Sequence, residues 1–410
     1  MNMRHLTLVA SATLAAAVLL NLSAHAAVPS TAAGTALDYL ATQQQSDGSI
    51  DDALGETADY ALAARFHGLD PNNLKAGSGK SVYDYFATWV AASVSCTNKP
   101  NTRDGNTVGK LVQAVVAGAH DPTAFASRNL LADLEGAGGT SGGSYDATNG
   151  AYQDCASGGQ NAVYAQANAI LGLESAGSAL YPVPATAMDH LRSLQSTGGG
   201  WPTFGTDNTN ATALALMALA PLQNTCAAVD PVLAGALRFL HTQQDPASGG
   251  MAYSNLGQFG SPTSDPDSDA LVIQALVDVG EDPASASWSN SKGSPSSDIL
   301  TFQDSSSGGF SFDHASAPNA FTTSEVPAGL DRAPFPDGTA DTAAVTCSAS
   351  PSPTVAAGVA PSATPRLPRA GDPTRPIGPL PGIILVSLLA GLTAVVGARA
   401  VWTARIHRDA

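Results

Sequence analysis

The stretch QSTGGGW (195–201) decides how the rest of this 410-residue chain is read. An amphipathic segment runs into it, its glycines turn the chain, and the apolar segment ATALALMALA (211–220) follows. The same order recurs around QQQSDGSI (43–50), QQDPASGGM (243–251) and FQDSSSGGF (302–310). Clear units span 37–71, 187–221, 233–283 and 298–336, and weaker ones at 82–122 and 125–177 fill the interval after the first. A period of this length belongs to stacked supersecondary units, none of which buries its apolar face alone.

Each unit predicts two helices. In the first, Leu233, Ala236, Leu237 and Leu240 stand at i, i+3, i+4 and i+7, and Ala187, Leu191 and Leu194 repeat part of that spacing. The second, as in ALVIQALVDVG (270–280), is apolar on nearly every side, so it is buried on every side. First helices should therefore form an outer ring and second helices an inner one. Six pairs close into an all-α (α/α)6 toroid over residues 27–348. Second helices open on polar clusters at Thr57 with Asp59, 208–210, 265–269 and 322–325, suited to capping free amides. Parallel inner helices bring these starts to one mouth. Loops ending in Asp70-Pro71, Asp121-Pro122 and Asp282-Pro283 belong at the other, where proline stops a helix.

Gln195, Gly199 and Trp201 spell QxxxGxW, the repeat of squalene and oxidosqualene cyclases, and the chain resembles that superfamily over about 36–336. The looser copies put Ile50, Met251 and Phe310 in place of Trp. Prenyltransferase β subunits and cobalamin carriers share these helical pairs, so the resemblance implies the toroid and leaves the chemistry open. Class II terpene cyclases protonate substrate with the middle Asp of DxDD. The resemblance carries that role to Asp267 in Asp265-Pro266-Asp267-Ser268-Asp269, where Ser268 replaces one acid. Such an acid works protonated in an apolar pocket, and a carbocation is held by aromatic faces. Aromatics make up only 6% of the chain, which weighs against that chemistry.

The residues themselves favour helix capping for Asp265, Asp267 and Asp269, because every unit opens its second helix at that place. Their alternating spacing could also offer hard oxygens to Ca²⁺, although Ala270 and Leu276 stand where an EF-hand-like loop uses Gly and Glu. Prenyltransferase zinc needs Asp, Cys and His together. His67, His120, His190, His241 and His314 are scattered, so no resident metal or cofactor is expected. A cobalamin carrier's β-rich second domain is replaced by a Pro-rich segment. GSGKS (77–81) lacks the first P-loop glycine, and GTSGG (139–143) lies in a turn, so neither carries its motif's chemistry. The glycine-rich insertion 136–159 is expected to be a flap near a mouth, presenting Tyr145 and Tyr152 for binding.

The ends bound the setting. Residues 1–26 read as a secretory signal closing on Ala24-His25-Ala26. Residues 349–380 form a Pro-rich stalk, about 100 Å long if extended, and its LPRAG (367–371) resembles the sortase signal LPxTG. The uncharged stretch 380–398 predicts a membrane helix over 381–402 with a basic cytoplasmic tail at 403–410. Residues 27–350 hold 11 Lys and Arg against 32 Asp and Glu, a field that repels nucleic acid and favours neutral or cationic partners. In an exported chain Cys96, Cys155, Cys226 and Cys347 should pair, and repeat register selects Cys96–Cys155 and Cys226–Cys347. The expected protein is a monomeric ectodomain held at the cell surface, binding a small molecule, glycan or cationic ligand as a non-catalytic or adhesion module. The alternatives are a toroid enzyme, either cyclase-like through Asp267 or a polysaccharide lyase, and a structural spacer.

Overall fold

The computed structural model describes residues 30–92, 103–140, 142–155, 159–223, 226–254 and 261–335. The expected export signal, stalk with LPRAG, membrane span and basic tail lie outside these residues, as do Cys96 and Cys347. No helix among the described residues is long and apolar enough to cross a membrane.

Twelve helices are described, in six pairs. The second members are α2 (Leu54–Phe66), α4 (Gly105–Ala117), α6 (Ala162–Ala176), α8 (Thr209–Leu219), α10 (Pro266–Asp278) and α12 (Ala320–Leu330). Each packs on the next, and α12 returns to α2, which closes the inner ring. The first members are α1 (Thr31–Gln43), α3 (Val82–Ala92), α5 (Leu130–Glu135), α7 (Ala185–Ser193), α9 (Asp230–Thr242) and α11 (Pro295–Asp298). Each packs outside the inner helix that precedes it, with α1 on α12. The expected toroid is therefore present.

Small side chains allow the inner helices to approach closely. A Cβ on Gly109 of α4 would stand 2.2 Å from the Asn168 carbonyl oxygen of α6, a distance no real contact tolerates. The glycine turns serve a different purpose. Gly199 has φ +92°, and its Cβ would meet the Gly235 carbonyl of α9 at 2.4 Å. Only glycine takes this backbone conformation cheaply and lets the turn lie against the next outer helix.

The repeat glutamines stitch successive units together. Gln195 Nε2 donates to the Gly199 and Val232 carbonyls at 2.9 and 2.8 Å. Gln44 and Gln244 repeat this with Leu74 and Trp288, and Gln303 reaches Ala32 at 2.9 Å, closing the circle. The residues at the Trp position, Ile50, Trp201, Met251 and Phe310, are fully buried. Ile50, Trp201 and Phe310 each donate a backbone N–H to a threonine on the paired inner helix, namely Thr57, Thr212 and Thr323.

Three short antiparallel hairpins, which the all-α reading did not foresee, lie between turn and inner helix. They are β1–β2 (Tyr145–Asp146, Ala151–Tyr152), β3–β4 (Trp201–Thr203, Thr206–Asn208) and β5–β6 (Ala252–Ser254, Ser261–Ser264). Two- to four-residue strands carry too little alternation to register in a sequence pattern.

Candidate functional site

Four inner helices begin on a side-chain cap, from Asp104, Asn208, Asp265 and Asn319, each accepting from an amide three residues on. Capping thus accounts for Asp265, whose Oδ1 accepts from Ser268 N at 2.8 Å. It does not account for its neighbours. Asp269 points outward, accepts from Met251 N at 2.7 Å where other units use threonine, and interacts with Asp298 of α11. Asp267 is 3% exposed, and its Oδ1 is buried without a hydrogen-bond partner. Two residues along a helix turn the direction by about 200°, so Asp267 points away from Asp269. Among the described residues no group of three or more His, Cys, Asp or Glu side chains could hold a metal ion together.

Asp267 on α10 belongs to a cluster completed from three other inner helices, at the mouth where the inner helices start. Lys110 Nζ on α4 lies 2.7 Å from Asp59 Oδ2 on α2, with side-chain exposures of 24% and 16%. Glu325 on α12 sits close enough to Asp59, Lys110, Glu56 and Asp265 to feel each of their charges. Tyr164 of α6 and Tyr253 of β5 join their hydroxyls beside the same acids.

Burial governs the protonation here. It pushes Glu325 up to about 8, with Asp59 adding and Lys110 opposing. Asp265 rises to about 6, held back by the amides and hydroxyl that bond it. Asp267 is driven well above the carboxylate range by burial first, then by Glu325, Asp265 and Asp59. Burial pulls Lys110 down, but Asp59, Glu325 and Glu56 outweigh it and keep the ammonium charged. Burial likewise raises Asp59, whereas Lys110 works to keep it ionised. The mouth therefore sets a carboxyl that burial raises beside a carboxyl paired with an ammonium, two different environments of the kind that acid–base chemistry uses.

Asp59 and Glu325 fall in the polar clusters that read as helix caps, while Lys110, Tyr164 and Tyr253 carry no motif at all. A signal exists once the units are aligned on their caps. Asp59, Lys110 and Glu325 each stand six residues after the residue preceding their helix, Ala53, Asp104 and Asn319. Equal offsets on parallel helices form one layer around the axis, and three charges in one layer must meet.

The insertion 136–159 is placed differently from the expected open flap. Tyr145 and Tyr152 are 8% and 3% exposed, with ring centroids 5.3 Å apart. The Tyr152 hydroxyl donates to Glu135 Oε1 at 2.5 Å, and the Tyr145 hydroxyl bonds Thr186. Both rings are turned into the core, since a buried phenol with a partner costs less than an exposed aromatic face. Cys155 and Cys226 carry no free thiol. Their expected partners lie outside the described residues.

No family model matches the chain, and no curated protein does. Among solved structures it is similar to a protein from Actinoplanes, at 15% identity over 73% of this chain and 98% of that one, TM-score 0.46. It is similar to the type II terpene cyclase MstE from Scytonema, at 14% identity over 73% and 97%, TM-score 0.46. An unsaturated glucuronyl hydrolase specific for heparin aligns at 11% identity over 73% and 95%, TM-score 0.49. These are likenesses of shape. The toroid itself rests on the closed ring of inner helices.

Proposed function

We propose that this chain is a toroid enzyme performing acid–base chemistry at the acidic mouth, on a neutral or amino-sugar glycan. The observation that carries the reading is Asp267, whose carboxyl is buried, unpartnered at Oδ1 and surrounded by the charges of Glu325, Asp265 and Asp59. In hydrolysis of a glycosidic bond, Asp267 donates its proton to the leaving oxygen as the C–O bond breaks. Asp59, kept anionic by Lys110, takes a proton from the attacking water. A mouth that carries Asp59, Lys110 and Glu325 suits hydroxyl-rich substrates better than the hydrocarbon of a terpene cyclase, which needs apolar, aromatic walls. Surplus negative charge on the body excludes uronic-acid polymers and attracts protonated amino sugars.

A second reading, a non-catalytic binding or adhesion module for a cationic ligand, draws on the same excess of carboxylates over Lys110. Both readings keep the outward-facing, membrane-anchored chain and the pairs Cys96–Cys155 and Cys226–Cys347 expected from its sequence. Incubating the full-length protein with chitosan and neutral oligosaccharides, and assaying reducing ends, separates them. Turnover that Asp267→Asn abolishes supports the enzyme. Saturable binding without turnover, weakened by Asp59→Asn, supports the module and sinks the enzyme.

A further inference from the structure

The ring of inner helices has a second polar end. Along α10 the stripe that starts at Asp267 continues through Leu271 and Gln274 to Asp278, at spacings of four, three and four residues. Its last member lies at the opposite mouth, where the inner helices end. There, Glu174 in the last turn of α6 is 5% exposed, and neither of its carboxylate oxygens has a hydrogen-bond partner. Asp278 closes α10, and its Oδ1 accepts from Phe335 N at 2.7 Å while its Oδ2 is buried and unpartnered. Gln274, one turn earlier and 6% exposed, leaves its amide Nε2 unpartnered as well. Glu174 and Asp278 end two inner helices at the same mouth, and no hydrogen bond joins them.

The location is electrostatically wrong for anions. Helix C-termini carry partial negative charge and favour cations, by about 0.3–1 kcal/mol each at exposed sites and more when buried. Here two carboxyl groups stand at two such ends; without a cation, burial raises both toward their protonated forms, and a cation that displaces the protons would be held by both. Buried charges persist when they are paired or coordinate a metal, and among the described residues no Lys or Arg is bonded to Glu174 or Asp278. The donors are all oxygen, with no imidazole or thiolate, which selects a hard cation over zinc or copper.

We infer that Glu174 and Asp278 bind a hard divalent cation, Ca²⁺ by size and donor type, between the C-terminal ends of α6 and α10. Gln274, main-chain carbonyls and water are the further oxygen donors that would complete such a shell. Bound there, the ion ties α6 to α10 across the intervening α8 and so braces the far end of the ring. This role is independent of the chemistry proposed for the other mouth.

The test uses the full-length protein stripped with EDTA and titrated calorimetrically with CaCl₂. Saturable uptake of one Ca²⁺ per chain is expected, weakened at least tenfold by Glu174→Gln and by Asp278→Asn, and unchanged by Asp267→Asn. Wild type with no saturable uptake overturns the site, as does uptake retained by the Glu174→Gln/Asp278→Asn double variant. Loss in Asp267→Asn alone would move the ion to the acidic mouth and overturn it equally. Thermal unfolding guards against misfolded variants. Calcium should raise the wild-type midpoint over its value in EDTA, and a wild-type midpoint that calcium leaves unmoved overturns the inference without any variant.

Discussion

The units built on α8 and α10 share the cap, the turn acceptor and the glutamine stitch, and differ in charge. In the first, Asn208 caps the helix, and Thr212, four residues on, accepts from Trp201 N at 3.0 Å. In the second, Asp265 caps the helix, and Asp269, again four residues on, accepts from Met251 N at 2.7 Å. Between cap and acceptor stand Asn210 in one unit and Asp267 in the other. Neutral side chains meet each structural demand in α8, so three carboxylates in α10 exceed what the scaffold requires. Burying an acid where an amide or hydroxyl suffices costs stability, and function is the usual reason for such a cost.

That contrast can be broken at its most stable point first. Trp201 is fully buried and its Nε1 donates to the Leu191 carbonyl at 2.8 Å. Trp201→Ala should cost about 3–5 kcal/mol in urea unfolding, more than Met251→Ala, which removes a smaller side chain and no hydrogen bond. Equal losses would mean that the two turns are packed alike despite their sequences.

Asp267 and Asn210 separate chemistry from scaffold. Asp267→Asn should lower glycan turnover by at least about 100-fold, whereas Asn210→Ala should change it little. Steady-state rates on the substrate found in the oligosaccharide assay decide this, and an active Asp267→Asn removes the proton donor from the mechanism.

Asp269→Thr gives α10 the acceptor that Thr212 supplies in α8. Burial, then Asp298, drives Asp269 well above the ordinary carboxylate range. As pH rises past about 4, the unfolded chain releases this proton while the folded chain holds it, so stability falls until the folded group ionises. Between pH 5 and 8 the variant should lose less stability than wild type. Parallel pH profiles of unfolding free energy would refute this.

The smallest effect tests what the units share. Gln195→Ala and Gln244→Ala each remove a pair of hydrogen bonds joining neighbouring units. Each should cost about 1 kcal/mol, and the two losses should agree within error. A large difference would show that charge in α10 alters even the turn that precedes it.

Much of the fold is legible in QSTGGGW and its copies, because a glutamine, a φ-positive glycine and a buried apolar residue act over a few residues. The inner ring is legible too, since ATALALMALA has no face to offer water. The near-mouth site was half legible. Asp267 stands out through its resemblance to DxDD, but its spacing also fits a cap, and nothing local separates Asp265 from Asp267. Lys110 and Glu325 escaped notice because each is a single charge on a helix of its own. Tyr145 and Tyr152 misled for the converse reason, since a glycine-rich insertion reads as exposed whichever way its rings turn.

From the amino-acid order alone come the six-fold repeat, the assignment of helices to outer and inner rings, and the mouth at which the inner helices start. These follow from periodicity, glycine conformation and apolar burial, all short-range along the chain. Only the closed ring decided that Asp59, Lys110, Glu325 and Asp267 meet at one mouth and Glu174 and Asp278 near the other. A carboxyl's protonation depends on the charges and solvent around it, and here they come from helices hundreds of residues apart in sequence.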